Sequence, residues 1–166
     1  MIVRVNQDNI DEYENFIKKH PKGLFQHSSK WAKVKSAWKF EAVMLKDENG
    51  EIKGSASVLI RSIPIIKNSL MYCCRGFVCD ENDFDTFDKL FNALLELGKE
   101  YKAYCIKIDP EIVIQNETYK KHLIEKGFIE LNPGCMDFEN VQPRFVYCFD
   151  YNGMNEDELM LTFKPD

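Results

Sequence analysis

Residues 102–112 have the sequence KAYCIKIDPEI. The apolar residues of this run predict a short buried β-strand, and Pro110 stops the strand from continuing. The strand is therefore expected to end at Asp109, at the edge of a sheet, where α/β proteins commonly bind their ligands. The carboxylate of Asp109 has to be solvated, paired or used in a reaction. On composition alone, an Asx-type turn before Pro110 is the simpler interpretation.

Length and charge restrict the class of protein, because 166 residues suffice for one domain with a hydrophobic core. A formal net charge of −5 argues against nucleic-acid binding by this chain alone, since contacts to phosphates need a basic face. No apolar run is long enough to span a membrane, and the N-terminus lacks the apolar region of a signal peptide. We therefore expect a cytoplasmic protein. Its six cysteines have no paired Cys-x-x-Cys spacing, so we expect reduced thiols and no metal site.

The pattern of apolar residues predicts an alternation of strands and helices. The predicted elements are a strand at 2–5, helices beginning at Asp8 and at Ser28 or Ser29, strands at 40–46, 52–63 and 68–74, a helix from Asp83 to about Lys99, a strand at 103–108, a helix at 116–126, strands at 128–131 and 144–151, and a helix from Asn155 to Phe163. This order resembles that of the GNAT acyltransferase fold. It predicts an α/β (α+β) protein with a central mixed sheet flanked by helices, although element order alone says little about chemistry.

Two of the predicted helices carry apolar stripes. In the helix that begins near Ser28, four residues are spaced so that they share one face, namely Trp31, Val34, Lys35 and Trp38. The helix that follows Asp83 is predicted to turn five residues toward the core, namely Phe84, Phe87, Phe91, Leu94 and Leu95. The first stripe places a lysine between two tryptophans.

Four segments carry a more specific signal than the element order. They are FQHSSKWAKVK at 25–35, MYCCRGFVCD at 71–80, YCIKIDPE at 104–111 and VQPRFVY at 141–147. In this order and spacing they resemble the N-terminal half of the Fem family, the aminoacyltransferases that build the interpeptide bridges of peptidoglycan. The resemblance covers almost the whole chain.

The resemblance implies a reaction and a division of the protein. Fem proteins transfer an amino acid from aminoacyl-tRNA to the side-chain amine of a stem peptide, so that an amine attacks an activated ester and the ribose hydroxyl leaves. No cofactor and no metal is implied. Residues 1–152 are expected to form one GNAT-like subdomain, and residues 153–166 the start of a helix that leads to a second subdomain. Such a chain would bind the peptidoglycan precursor but be inactive alone, and aminoacyl-tRNA would be bound through the second half.

The resemblance also implies site residues. Lys35 matches the family lysine that contacts the phosphate of the precursor, whereas Tyr104 and Asp109 match positions that line the site of the precursor peptide. Asp109 would either accept a proton from the attacking ammonium or orient it. The alternatives are a solvated Lys35 whose stem packs along the tryptophans, and a core aromatic at Tyr104. Because Tyr104 and Asp109 are five residues apart, a regular strand would turn them to opposite faces.

The segment at 71–80 supplies two further candidates. Arg75 precedes Gly76 in a predicted tight turn and offers a cation for substrate binding, and Tyr72 could either line the cleft or be structural. The family usually has a proline after this glycine, where this chain has Phe77. His27 is interpreted as a surface residue near the start of a helix.

Two other functions fit the predicted fold. A CoA-dependent N-acetyltransferase would need a glycine-rich loop around a pyrophosphate, but the stretch 75–80 has one glycine, then bulky residues, and an aspartate that would repel phosphate. A non-catalytic interaction module would use the apolar residues at 159–163. These residues could pack on a second copy, which would give a homodimer, or on another protein.

Overall fold

The computed structural model describes residues 1–63, 65, 67–113, 115–131 and 149–163. The chain divides into two compact units, Met1–Leu131 and Asn132–Asp166, which are described separately. The first unit contains the sheet and most of the helices. In the second unit the described residues include one short helix, and the predicted domain boundary at residue 152 stays a prediction.

The first unit is built on a five-stranded mixed sheet. Its strands are β1 (Ile2–Arg4), β2 (Lys39–Lys46), β3 (Ile52–Ile63), β4 (Asn68–Cys73) and β5 (Ala103–Ile108). Their order in the sheet is their order in the sequence, and β1 to β4 are antiparallel while β5 runs parallel to β4. The predicted mixed sheet is therefore confirmed. The prediction that β5 is buried is wrong, because Tyr104 and Cys105 on it are exposed.

The described residues form five α-helices, most of which begin at a capping residue that the local sequence supplies. They are α1 (Ile10–Lys19), α2 (Ser29–Val34), α3 (Phe84–Glu100), α4 (Glu117–Glu125) and, in the second unit, α5 (Glu156–Thr162). Ser28, Asp83, Asn116 and Asn155 each accept a hydrogen bond from a backbone N–H of the first turn that follows, as N-cap residues do. The predicted cap Asp8 is wrong, because α1 begins after Asn9. In the described part of the chain no helix is both long and apolar enough to cross a bilayer.

The sheet separates two apolar layers. On one face α3 buries Phe87, Leu90 and Leu94 against β2, β3 and β4, and on the other face α1 buries Tyr13 and Ile17. The prediction of Leu95 as a core residue is wrong, because Leu95 is exposed. Leu90 occupies the stripe instead, since residues 87, 90 and 94 recur at the three- and four-residue spacing of one helix face.

Two further elements differ from the sequence prediction. The helix α2 ends at Val34, whose side chain is exposed, and Trp38 lies in the turn that follows, so the predicted four-residue stripe is not formed. Residues 128–131 are not a strand, because Gly127 ends α4 with φ of +85° and only Phe128 returns to the core, against Phe91. The predicted strand at 144–151 lies outside the described residues up to 148, and residues 149–151 are not in a strand.

Two glycines at the interface of α3 and the sheet give a matched test of this packing. A Cβ on Gly54 of β3 would lie 2.8 Å from Thr86 Cγ2 and 2.9 Å from Cys79 Cβ, whereas a Cβ on Gly98 of α3 would meet nothing closer than 3.8 Å. We expect Gly54→Ala to lower the free energy of unfolding by about 1–3 kcal/mol through overpacking. Gly98→Ala is expected to raise it by up to about 1 kcal/mol through helix propensity. Urea unfolding followed by tryptophan fluorescence measures both, and equal effects would contradict the close approach at Gly54.

Candidate functional site

Asp109 follows β5 directly and is held by the end of β4. The backbone N–H of Arg75 donates to Asp109 Oδ1 at 2.8 Å, and the N–H of Glu111 donates to the carbonyl oxygen of Arg75 at 3.4 Å. An Asx-type turn would need the Glu111 N–H for the Asp109 carboxylate, so this alternative is not what the structure has. The aspartate instead joins the ends of two parallel strands.

The turn that holds Asp109 has an unusual backbone. Arg75 has φ of +58° and Gly76 φ of +76°, and the Gly76 N–H donates to the carbonyl oxygen of Cys73 at 3.4 Å. A left-handed arginine costs free energy, and surrounding contacts have to keep it in place. Pro110 makes one such contact with Gly76, because a Cβ on Gly76 would lie 3.0 Å from Cα and Cβ of Pro110. The turn is therefore packed directly on the segment after β5.

A lysine from a third element braces the same segment. Lys22, in the loop after α1, donates to the carbonyl oxygen of Glu111 at 3.2 Å and pairs with Glu81 at 2.8 Å. The backbone on both sides of Pro110 is thus tied to the β4 turn and to the α1 loop. The position of the Asp109 carboxylate depends on these contacts.

The environment of Asp109 makes its carboxylate more basic than usual. Burial raises its pKa, and this outweighs the opposing effects of the Arg75 N–H, the side-chain hydrogen bond with Tyr72 and the charge of Arg75. Its Oδ2 is buried and makes no close hydrogen bond to a residue in the described part of the chain. Such an oxygen keeps a hydrogen-bonding capacity that no described residue uses.

Tyr72 and Lys107 lie on the same face of the sheet as Asp109. They are cross-strand partners on β4 and β5, and Lys107 Nζ lies 5.8 Å from the centroid of the Tyr72 ring. Tyr72 therefore lies next to the aspartate, and both interpretations of it, as a residue that lines the cleft or as a structural one, stay predictions. Lys107 was not among the predicted site residues.

Tyr104 lies at the other end of β5. Ser69 pairs with Ala103 and Leu70 with Cys105, so Tyr104 is the extra residue of a β-bulge. The bulge breaks the strict alternation on which the expectation of opposite faces rested. The side chain is 55% exposed, so the alternative of a core aromatic is wrong. At strand spacing Tyr104 is about 16 Å from Asp109.

Lys35 is at that same end of the sheet. It caps the C-terminus of α2, with its Nζ 5.1 Å from the Trp31 ring centroid, and its carbonyl oxygen accepts from the Trp38 N–H at 2.8 Å. The Trp38 ring in turn contacts the Arg61 guanidinium at 5.7 Å. Arg61 pairs with Leu70, about 13 Å along β4 from the level of the Arg75 turn.

The predicted site residues thus form two groups rather than one. Tyr72, Arg75 and Asp109 lie together where β4 and β5 end, whereas Lys35 and Tyr104 lie at the opposite end of the same face. Their roles in binding or catalysis stay predictions.

His27 is buried, so its interpretation as a surface residue is wrong. It is 1% exposed, its Nδ1 accepts from the Leu24 N–H at 3.0 Å, and its carbonyl oxygen accepts from the Tyr13 hydroxyl at 2.5 Å. The ring also interacts with the backbone of Cys74 and Gly76, and burial lowers its pKa to about 4. The neutral imidazole of His27 therefore contacts the backbone on both sides of Arg75.

The stretch 75–80 does not offer the open loop that a pyrophosphate needs. The Val78 N–H donates to the Ser55 carbonyl oxygen at 2.9 Å, and Phe77, Val78 and Cys79 are buried in the core. The backbone donor of Val78 is already bonded to β3, and the buried side chains of this stretch fill the space that a pyrophosphate would need. Among the described residues, no group of three His, Cys, Asp or Glu side chains is arranged to hold a metal ion.

Comparison with known proteins gives the family. The model of the FemAB family matches residues 9–166. The lipid II:glycine glycyltransferase of Staphylococcus epidermidis is 32% identical over 158 residues, which are 92% of this chain and 37% of that protein. The enzyme of the same name from Staphylococcus aureus is 30% identical, with the same coverage. The chain thus spans little more than a third of the length of the relatives it matches.

Solved structures agree with the fold. The crystal structure of FemX superimposes with a TM-score of 0.66 at 30% identity, over 75% of this chain and 31% of that chain. An aminoglycoside acetyltransferase from a soil metagenome superimposes with a TM-score of 0.61 at 16% identity, over 79% and 92%. At this low identity the second likeness concerns the fold alone, and it confirms the predicted GNAT-like architecture.

The contact between Gly76 and Pro110 can be tested against a matched glycine. Gly76→Ala places a Cβ 3.0 Å from Pro110 at a φ of +76°, whereas Gly127→Ala has a φ of +85° and no atom within 4 Å. Backbone strain alone should cost each variant about 1 kcal/mol of unfolding free energy. Gly76→Ala should lose about 1–3 kcal/mol more through overpacking. Chemical unfolding measures the difference, and equal losses would refute the contact with Pro110.

Burial of neutral His27 predicts a pH dependence of stability. The imidazole pKa is about 4 when folded and 6.5 in the unfolded chain, so the unfolded state binds the extra proton between these values. Stability is therefore complete above pH 6.5 and falls toward pH 4, by about 3 kcal/mol for this residue. His27→Asn keeps an acceptor for the Leu24 N–H and removes the titration. Unfolding at pH 7 and 4.5 should show a smaller loss for the variant, and the same loss in both proteins would exclude this role.

Proposed function

The chain belongs to the FemAB family, and we propose that it forms the precursor-binding part of a peptidoglycan aminoacyltransferase. The relatives with 30–32% identity are lipid II:glycine glycyltransferases. The observation that carries the proposal is the Asp109 carboxylate, held by the Arg75 N–H where β4 and β5 end, with one oxygen left without a close partner among the described residues.

We assign the acceptor amine of the precursor to Asp109. An ammonium group on a stem-peptide side chain would pair with the carboxylate of Asp109 and must lose a proton before it can attack an ester. The raised pKa of Asp109 supports a role as proton acceptor, because an ordinary aspartate is a weak base at neutral pH. The Tyr72 side chain, which shares a hydrogen bond with this carboxylate, would orient it.

Arg75 would supply the positive charge beside the acceptor. Its Nε is buried without a hydrogen-bond partner in the part of the chain that the structure describes. A guanidinium suits a carboxylate, because its donors form two parallel hydrogen bonds to the two oxygens. We therefore propose that Arg75 binds a carboxylate of the stem peptide, next to the amine held by Asp109.

The other end of the face would bind the phosphate part of the precursor. Tyr104 lies about 16 Å along β5 from Asp109, and Lys35 is hydrogen-bonded to Trp38, whose ring contacts Arg61 toward the same end. An elongated molecule with an anion at one end and an amine at the other can contact both groups. The amino acid would come from aminoacyl-tRNA bound to a second subdomain, and such a reaction would be cytoplasmic. Without that subdomain the chain would bind precursor but not transfer.

Neither alternative function has equal support. A CoA-dependent acetyltransferase would have to bind its pyrophosphate at 75–80, where the backbone donor of Val78 is already bonded to Ser55. The interaction module rests on α5, whose exposed Met160 and Leu161 can equally pack on a second subdomain. A homodimer through α5 therefore stays a prediction.

The proposal predicts separable effects of two substitutions. Calorimetric titration with soluble UDP-linked muropeptide should show binding to the unmodified chain, weakened about tenfold by Lys35→Ala because a charged hydrogen bond is lost. Asp109→Asn keeps an acceptor for the Arg75 N–H and should weaken the binding of the natural muropeptide. It should leave unchanged the binding of a muropeptide whose side-chain amine is acetylated.

Lys99→Ala, on the opposite side of the sheet, is the matched control and should bind like the unmodified chain. Equal binding by Lys35→Ala would remove Lys35 from the site. An equal loss for both muropeptides with Asp109→Asn would exclude contact with the amine. Failure of the unmodified chain to bind would overturn the proposed function, and transfer by the isolated chain would overturn its inactivity alone.

A further inference from the structure

Charge is distributed very unevenly along this acidic chain. Residues 15–40 and 52–79 contain eleven of the 22 Lys and Arg residues and none of the 27 Asp and Glu residues. The negative net charge therefore belongs to the rest of the molecule. Such asymmetry marks a surface that meets an anionic partner.

The fold brings part of both segments to one end of the sheet. Lys30, Lys33 and Lys35 belong to α2 and its cap, Arg61 lies near the end of β3, and Lys67 lies between β3 and β4. The contact between Trp38 and Arg61 connects the two segments. All five cations are exposed, and none of them is within 4 Å of a carboxylate of a described residue. We call these five residues the basic surface.

Large apolar side chains lie among these cations. Ile65, beside Lys67, is 94% exposed, and Val34 of α2 is 68% exposed. Phe25, which is 63% exposed, makes an edge contact with the Trp31 ring at 5.0 Å. Single exposed apolar residues are normal, but three of them within one basic surface form a combined apolar and cationic face.

We propose that the basic surface, with Phe25, Val34 and Ile65, docks on an anionic lipid bilayer. Lysine and arginine near an anionic membrane each contribute about fivefold in affinity, and apolar side chains add to this when they enter the interface. An RNA would use the cations but would gain nothing from Val34 or Ile65. A bilayer uses both, so charge and exposure together favour it.

This inference goes beyond the proposed function, because it concerns the cationic end of the face and the loops around it, and not the end that carries Asp109. It needs no precursor, so vesicle binding and muropeptide binding can fail independently. Lys35 borders both regions and is therefore left out of the variants.

The test is co-sedimentation of the 166-residue chain with phosphatidylcholine vesicles, with and without phosphatidylglycerol. We expect binding that needs phosphatidylglycerol and weakens with added salt. Lys33→Glu with Lys67→Glu should lower the affinity at least about tenfold. Ile65→Ser should lower it about tenfold through the lost apolar contact and should leave the salt dependence unchanged.

The matched control is Lys99→Glu with Lys121→Glu, which changes the charge equally on α3 and α4 and should bind vesicles like the unmodified chain. Circular dichroism checks that every variant is folded. Absence of phosphatidylglycerol-dependent binding, or the same loss in both double variants, would overturn the inference. Two other results would also overturn the inference, if vesicles are not bound. One is binding to bulk tRNA, and the other is self-association in sedimentation, when Lys33→Glu with Lys67→Glu abolishes it.

Discussion

The hydrogen bond from the Arg75 N–H to Asp109 Oδ1 connects the residues at one end of the candidate site. Parallel strands have no hairpin between their ends, so β4 and β5 need another link where their ladder stops. The carboxylate supplies that link, and Pro110 then packs on Gly76, so the link also fixes the backbone that follows. Because Tyr72 hydrogen-bonds to the same carboxylate, one side chain brings Tyr72, Arg75 and Pro110 together at this end of the face.

The arrangement around Asp109 lowers the stability of the fold, and this cost indicates that it has a function beyond linking two strands. The left-handed Arg75, the buried Asp109 Oδ2 that has no close partner among the described residues, and the buried neutral His27 each raise the free energy of the fold. A purely structural link between strands needs none of them, because an asparagine at 109 could accept the same N–H. Strain and unsatisfied polar atoms that persist at one place are typical of binding and catalytic sites. The raised pKa of Asp109 has the same cause, since burial without full pairing favours the protonated carboxyl.

How far the sequence predicts this molecule depends on whether a feature is local. The cap at Asp83, the helix start near Asn116 and the strands around Asn49-Gly50 follow from neighbouring residues, and they were predicted correctly. His27 is buried by Tyr13 and by the β4 turn, which are distant in sequence, so no local pattern distinguishes it from a surface histidine. The bulge at Tyr104 is equally invisible, because it arises from the register with β4. Of the candidate site, the roles of the five predicted residues stay predictions, and their division into two groups does not follow from any local pattern in the sequence.

The two ends of this face differ in charge in a way that the net charge conceals. At the Asp109 end Lys22 is paired with Glu81, and the cations Arg75 and Lys107 lie near the carboxylate of Asp109. At the other end Lys35 and Arg61 lie over tryptophan rings and have no carboxylate within ion-pair distance among the described residues. The electric field of these two cations extends about a Debye length, roughly 8–10 Å, into the solvent. An anionic ligand would therefore be drawn first to the Lys35 end, and an attached ammonium would then lie along the strands toward Asp109, where negative charge and a raised pKa favour its binding and deprotonation.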